Sequence, residues 1–141
     1  MYDQVFARSP VLFDGVAELL QHLEQNGIAW GVVTNKPRRF SAPLLKAMQL
    51  DDRMTCLVCG DDAVLPKPAP DTLFMACEHA NVKAVDCLYV GDAERDIEAG
   101  KAAGMKTVVA MYGYIDENDR PEEWGADFSI AHPVDLISLI A

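Results

Sequence analysis

Basic residues are scarce in this sequence: 12 Lys and Arg stand against 22 Asp and Glu, a net charge of −10. A nucleic-acid surface needs a basic patch, so that class of partner is not expected. Long apolar runs are missing too; none approaches the ~18 residues of a membrane span. The opening "MYDQVFARSP" has no basic segment followed by an apolar one. No signal peptide is read there, and a cytoplasmic location is expected. No Gly-x-Gly-x-x-Gly follows a strand pattern, which weighs against a dinucleotide binder. Cysteine is sparse. Cys56 and Cys59 form a single C-x-x-C, and Cys77 and Cys87 stand alone. "MTCLVCG" reads as a short buried strand, where residues three apart point to opposite faces and do not converge on one metal. All four cysteines are therefore expected to be small buried hydrophobes rather than a zinc or redox site.

What is present suits one soluble domain. The chain has 141 residues, 50% hydrophobic and 24% charged, enough to bury a core of its own. Its acidic excess suits a divalent-cation site built from carboxylates.

Helical and strand patterns alternate along the chain. Val16, Leu19, Leu20 and Leu23 mark one face of a helix that Gly27 ends, and Asp14 stands just before it as a candidate N-cap. "IAWGVVTN" (28–35) is an apolar, β-branched run that reads as a strand buried on both faces. A helix over 38–50 follows, with Pro43 near its first turn or at a kink; then come a strand over 55–60 and a helix over 70–82. The remainder reads as a strand over 87–92, a helix over 93–104, a strand over 105–111, a short strand at 127–130 and a closing helix over 133–141. Such alternation implies an α/β fold: a Rossmann-like, mostly parallel sheet with helices on both faces. Function in such sheets collects beyond the carboxyl ends of the strands.

Three strand ends are unusual. In "VVTNK", Thr34 and Asn35 follow the apolar run directly, and a hydroxyl with an amide can hold a phosphate oxygen, helped by N–H groups of the next helix; a turn or helix cap is the plainer reading. In "LPKPAPDT", prolines on either side fix Lys67, which is either a positioned cation that balances phosphate or carboxylate charge or a solvated loop lysine. In "YVGDAERDIEAG", Asp92 and Asp96 are one helical turn apart. They suit Mg²⁺, or else a helix N-cap and a first-turn charge.

Together, in order and spacing, these loops resemble the second, third and fourth motifs of the haloacid dehalogenase superfamily, in its phosphoglycolate phosphatase-like branch. The segment "YGYIDENDRPEEWGADFSI" is similar to the C-terminal part of bacterial N-acetylmuramic acid 6-phosphate phosphatases. The resemblance implies a Mg²⁺-dependent phosphatase of a small phosphorylated metabolite, working through an aspartyl-phosphate. It also implies roles. Thr34 and Asn35 would hold the phosphoryl group and Lys67 would stabilise its charge, with Thr34 and Lys67 as the catalytic pair. Asp92 and Asp96 would form the metal site.

The family's first motif, Asp-x-Asp-Gly-Thr after an apolar strand, does not occur in the sequence. "VLFDG" (11–15) fails in either register, because Leu12 or Val16 would stand where a carboxylate is required. The chain is therefore expected to be the C-terminal part of a longer phosphatase. On that expectation residues 1–9 are the remnant of a cap domain and residues 10–141 a partial core. The first, central strand would be missing, and the open sheet would close on itself, on a surrogate strand near "PVLF", or on another chain through self-association. The alternative is a non-catalytic module that binds a phosphorylated ligand or a partner. A receiver-type domain fits less well, because the acidic pair sits late in the chain.

Overall fold

Short apolar runs and amphipathic segments separate into six strands and five helices in a computed structural model that describes residues 2–8, 15–113 and 115–140. The strands are β1 (Gln4–Ala7), β2 (Ala29–Val33), β3 (Leu57–Val58), β4 (Cys87–Gly91), β5 (Lys106–Ala110) and β6 (Phe128–Ile130). The helices are α1 (Val16–Gln25), α2 (Arg38–Ala47), α3 (Asp71–Ala80), α4 (Glu94–Ala103) and α5 (Ile137–Ile140). The strands form one sheet in the order β3-β2-β1-β4-β5-β6, and every pairing is parallel.

A parallel sheet of this kind must bury both faces, and the strand sequences supply apolar residues to each. In β1, Val5 packs on one side with Trp30, Val32 and the α1 residues Leu19 and Leu23. Its neighbour Phe6 packs on the other with Tyr89, Leu73 of α3 and Ala99 of α4. β4 divides likewise: Leu88 and Val90 join the first cluster, Cys87 and Tyr89 the second. Gly31 makes room for this packing, since a Cβ there would lie 3.1 Å from the Phe6 ring.

The middle of the sheet differs from the sequence expectation. The place between β2 and β4, expected to lack a strand, is filled by Gln4–Ala7, which pairs with both neighbours. Residues 4–7 thus lie in the core sheet although residues 1–9 read as a cap remnant. The physical cause is twofold. Unpaired N–H and C=O groups along β2 and β4 gain partners, and Val5 and Phe6 fill both faces. The polar Gln4 is buried at small cost because its amide donates to Thr55 Oγ1 at 2.8 Å. The candidate surrogate "PVLF" and the cap candidate Asp14 lie outside the described residues; Gly15 occupies the N-cap position of α1, with φ 93°.

Other elements shift modestly. Pro43 sits inside α2, and the closing segment is a tight 3₁₀ turn over Pro133–Leu136 before α5. Cys59, Cys77 and Cys87 are buried and Cys56 half-buried, all as free thiols. Among the described residues no helix is long and apolar enough to cross a membrane.

The strand order places a topological switch at β1: successive strands run outward to β2 and β3 on one side, and to β4, β5 and β6 on the other. The carboxyl ends of β1, β2 and β4 are therefore neighbours, which is where an α/β sheet builds its site.

Candidate active site

Each of the three central strands ends in a polar or charged residue: Arg8 after β1, Thr34 and Asn35 after β2, and Asp92 after β4. Lys67 joins them from the proline-rich loop, and Asp96 from the first turn of α4.

Asp96 has no exposed surface and lies at the centre. Its Oδ1 accepts from Lys67 Nζ at 2.6 Å. Its Oδ2 accepts from the backbone N–H groups of Asp92 at 3.2 Å and Ala93 at 3.1 Å, so it caps α4 and fixes the β4–α4 turn. Gly91 is required there, because a Cβ would fall 2.7 Å from the Asp96 carboxyl carbon.

Lys67 is buried, and its ammonium has three acceptors: Val33 O at 3.2 Å, Tyr89 Oη at 2.5 Å and Asp96 Oδ1. Tyr89 Oη in turn donates to Val33 O at 2.9 Å. The lysine thus ties the end of β2 to β4 and α4. Burial lowers its pKa to about 8, with Asp96 opposing the shift and Arg8 adding to it. The Tyr89 hydroxyl is pushed well up, first by burial and then by the Asp96 charge.

Asn35 holds the loop that presents Lys67. Its Oδ1 accepts from Lys67 N at 3.0 Å and its Nδ2 donates to Lys67 O at 3.3 Å, so the amide is spent on positioning. Thr34 is buried, and its Oγ1 accepts from Lys36 N at 3.2 Å, which leaves the hydroxyl hydrogen to donate elsewhere. The first N–H of α2, on Arg38, goes to Asp61 Oδ1 at 3.0 Å, so the helix start expected to help hold a phosphate already has a carboxylate.

Asp92 faces the mouth of the cluster. Its Oδ1 accepts from Arg8 Nη1, and Arg8 Nε lies 3.9 Å from Asp96 Oδ2. Gly113 backs the other oxygen closely, since a Cβ there would lie 2.5 Å from Asp92 Oδ2. Tyr112 is nearby: burial and then the Asp92 charge raise its hydroxyl to about 12.

Of the five expected residues, Asn35, Lys67, Asp96 and Asp92 are joined by hydrogen bonds, and Thr34 stands next to Asn35 at the end of β2. Arg8 and Tyr89 were not anticipated. The signal for Tyr89 was a hydroxyl inside an otherwise aliphatic strand, "CLYVG", which must find a partner when buried. For Arg8 it was the pattern of a short apolar run ending in a polar residue, shared by "QVFAR", "VVTN" and "YVGD".

The resemblance stated above implies Mg²⁺ at Asp92 and Asp96. The residues present do not fit that ion in this arrangement. Mg²⁺ demands about six oxygens in near-octahedral array at about 2.0–2.1 Å. Both oxygens of Asp96 are already engaged, and Asp92 is paired with a guanidinium. The two carboxylates face two cations, Arg8 and Lys67, so the cluster is charge-balanced before any ion is added. Among the described residues no group of three or more His, Cys, Asp or Glu converges to hold a metal.

Known proteins resemble this chain in sequence and in fold. The sequence pattern of the haloacid dehalogenase-like hydrolases matches residues 1–110. The chain is 44% identical over 129 residues to an N-acetylmuramic acid 6-phosphate phosphatase of Pseudomonas putida, covering 92% of this chain and 58% of that protein. It is 42% identical over 135 residues to a phosphoglycolate phosphatase of Xanthomonas campestris pv. campestris, covering 96% of this chain and 61% of that one. The crystal structure of a predicted phosphoglycolate phosphatase from Haemophilus somnus superposes with a TM-score of 0.85 at 28% identity, over 92% of this chain and 57% of that one. The chain thus spans about three-fifths of the length of the relatives it matches. The matched span covers the loops of Thr34, Lys67 and Asp92 along with most of the sheet, and the chain belongs to the haloacid dehalogenase-like hydrolases.

Proposed function

We propose that this chain carries the phosphate-binding core of a phosphatase for small phosphorylated metabolites, of the phosphoglycolate or N-acetylmuramic acid 6-phosphate kind. The observation that supports this most is the convergence of Thr34, Lys67 and the two aspartates at the carboxyl ends of β2 and β4, beside the switch point. Thr34 keeps a hydroxyl hydrogen for a phosphate oxygen. Lys67 lies one layer behind and contributes its charge while anchored to Asp96, as phosphoryl transfer requires of a positioned cation. Asn35 acts through Lys67 by holding its backbone.

Formation of an aspartyl-phosphate needs a carboxylate nucleophile, and at the carboxyl end of β1 this chain has Arg8. The magnesium that the resemblance implies belongs, on this reading, to a site in which Asp92 is released from Arg8. In the described arrangement the chain binds phosphate esters and does not turn them over. The same arginine favours a second reading, a non-catalytic domain that recognises a phosphorylated ligand.

Calorimetric titration of the 141-residue protein with inorganic phosphate, phosphoglycolate and N-acetylmuramic acid 6-phosphate tests this. Saturable binding of at least one is expected, weakened about tenfold or more by Thr34→Val, the effect of one hydrogen bond to a charged group. Absence of binding by all three would overturn the proposal. Turnover of any ester with Mg²⁺ that disappears in Asp92→Ala would overturn its non-catalytic part.

A further inference from the structure

Cys77 and Cys87 belong to no shared sequence motif, yet the fold sets them side by side. Cys77 lies in the second half of α3 and Cys87 opens β4. Asn81, at φ 56°, ends the helix, and the Val82 N–H donates back to Cys77 O at 3.1 Å, so the short connection folds back on Cys77 before entering the strand. Both side chains join the apolar cluster around Phe6 and Tyr89, and their thiols hydrogen-bond to each other. Cys87 Sγ also donates to Lys83 O at 3.2 Å, which holds that side chain in place.

The two sulfurs are not equivalent. Cys87 has no exposed surface, whereas Cys77 is 9% exposed and forms part of the wall of an open cavity of about 610 Å³, with Phe74, Glu78, Asn81, Val82 and Lys83. A hydrogen bond from the Cys87 thiol lowers the Cys77 thiol below its ordinary value of 9.0; the same bond, and then burial, push the Cys87 thiol up. The sulfur that meets solvent is therefore also the better thiolate, which is the form that reacts. Cys56 packs against the same cluster, but burial raises its thiol to about 11. We propose that Cys77 and Cys87 are a dithiol modification site, which a small-molecule disulfide entering this cavity converts into a disulfide between α3 and β4. The Cys77 thiolate attacks one sulfur of the small disulfide, forming a mixed disulfide and expelling a thiolate. The Cys87 sulfur then attacks Cys77 Sγ, the bond from Cys77 to the small molecule breaks, and a second thiolate leaves. Each departing thiolate takes up one cysteine proton, so two cysteine thiols are oxidised and one small disulfide is reduced to two thiols. Where thiol pools keep a compartment reduced, such a bond forms transiently and reports oxidation. The proposal is independent of the phosphate-binding reading, because Cys87 stands at the opposite end of β4 from Asp92 and its test contains no phosphate ester.

The probe is oxidised glutathione in excess, added to the full folded chain at neutral pH; the products are alkylated and mapped by mass spectrometry without reduction. Tryptic cleavage after Lys83 places the two cysteines on separate peptides. A linked pair carrying Cys77 and Cys87 is expected, on protein that stays monomeric without reductant, with Cys56 and Cys59 alkylated. Reduction should restore all four free thiols. Cys87→Ser is expected to stop at the mixed disulfide of Cys77 with glutathione, and Cys77→Ser to lose both products. Should either variant not fold by circular dichroism, the map of the unaltered chain decides alone. Three results overturn the proposal: no linkage of Cys77 to Cys87 within the unaltered chain, first reaction at Cys56 or Cys59, or a folded Cys87→Ser variant whose Cys77 stays free.

Discussion

Two ion pairs, a few ångströms apart, occupy different depths of the same site. Lys67–Asp96 lies inside, with neither side chain exposed, and every polar atom is drawn into bonds that join β2, β4 and α4. Arg8–Asp92 lies at the mouth, partly exposed, and the backbone N–H of Arg8 ties its root to Val90 O at the end of β4. Like charges in like geometry therefore do different work. The inner pair is part of the framework, and removing one partner strands a buried charge. The outer pair sets the charge of the opening, and removing its cation strands no fully buried charge.

Chemical denaturation breaks the comparison apart most sharply. Lys67→Met is expected to cost about 3–5 kcal/mol, the usual penalty for orphaning one member of a buried pair. Arg8→Met is expected to cost about 1 kcal/mol or less, as for a partly solvated pair. Equal costs for the two would show that the outer pair is structural as well.

A third pair, on the surface, gives the smallest effect. Arg53 donates to Glu24 through Nε, at 3.1 Å to Oε1 and 3.0 Å to Oε2, and holds that carboxyl below its ordinary value of 4.5, chiefly by hydrogen bonding. Because the folded value is depressed, the stabilisation is complete above the ordinary value and is lost as pH falls through the folded one. At neutral pH Arg53→Met should change stability by only about 0–1 kcal/mol, and that difference should shrink to nothing in acid. A difference that grows on acidification would contradict the assignment.

Much of this was legible in the sequence, for reasons that also explain the gaps. β2, β4 and β5 read as strands because their apolar runs are too short for helices, and α1, α3 and α4 because each closes with Gly or Asn after an apolar face. The site loops stood out because polar residues interrupt those runs at the strand ends. β1 was not read as a strand: "QVFA" has four residues, begins with Gln and is followed by Arg, so its short apolar run is too weak a local signal by itself. Only pairing with β2 and β4 makes it one, and that contact is tertiary. Nor do the prolines around Lys67 indicate where its ammonium points; that depends on Tyr89 and Asp96, more than 20 residues away. The amide of Asn35 bonds across 32 residues and has no local signature either.

The position of Arg8, and with it the difference between the two pairs, depends on Gln4–Ala7 lying in the middle of the sheet. Hydrogen exchange of the Val5, Phe6 and Ala7 amides measures this directly. Exchange as slow as that of Leu88, Tyr89 and Val90 is expected, because both segments are central strands paired on two sides. Exchange of residues 5–7 at the rate of an unstructured peptide, while β4 stays protected, would contradict the account.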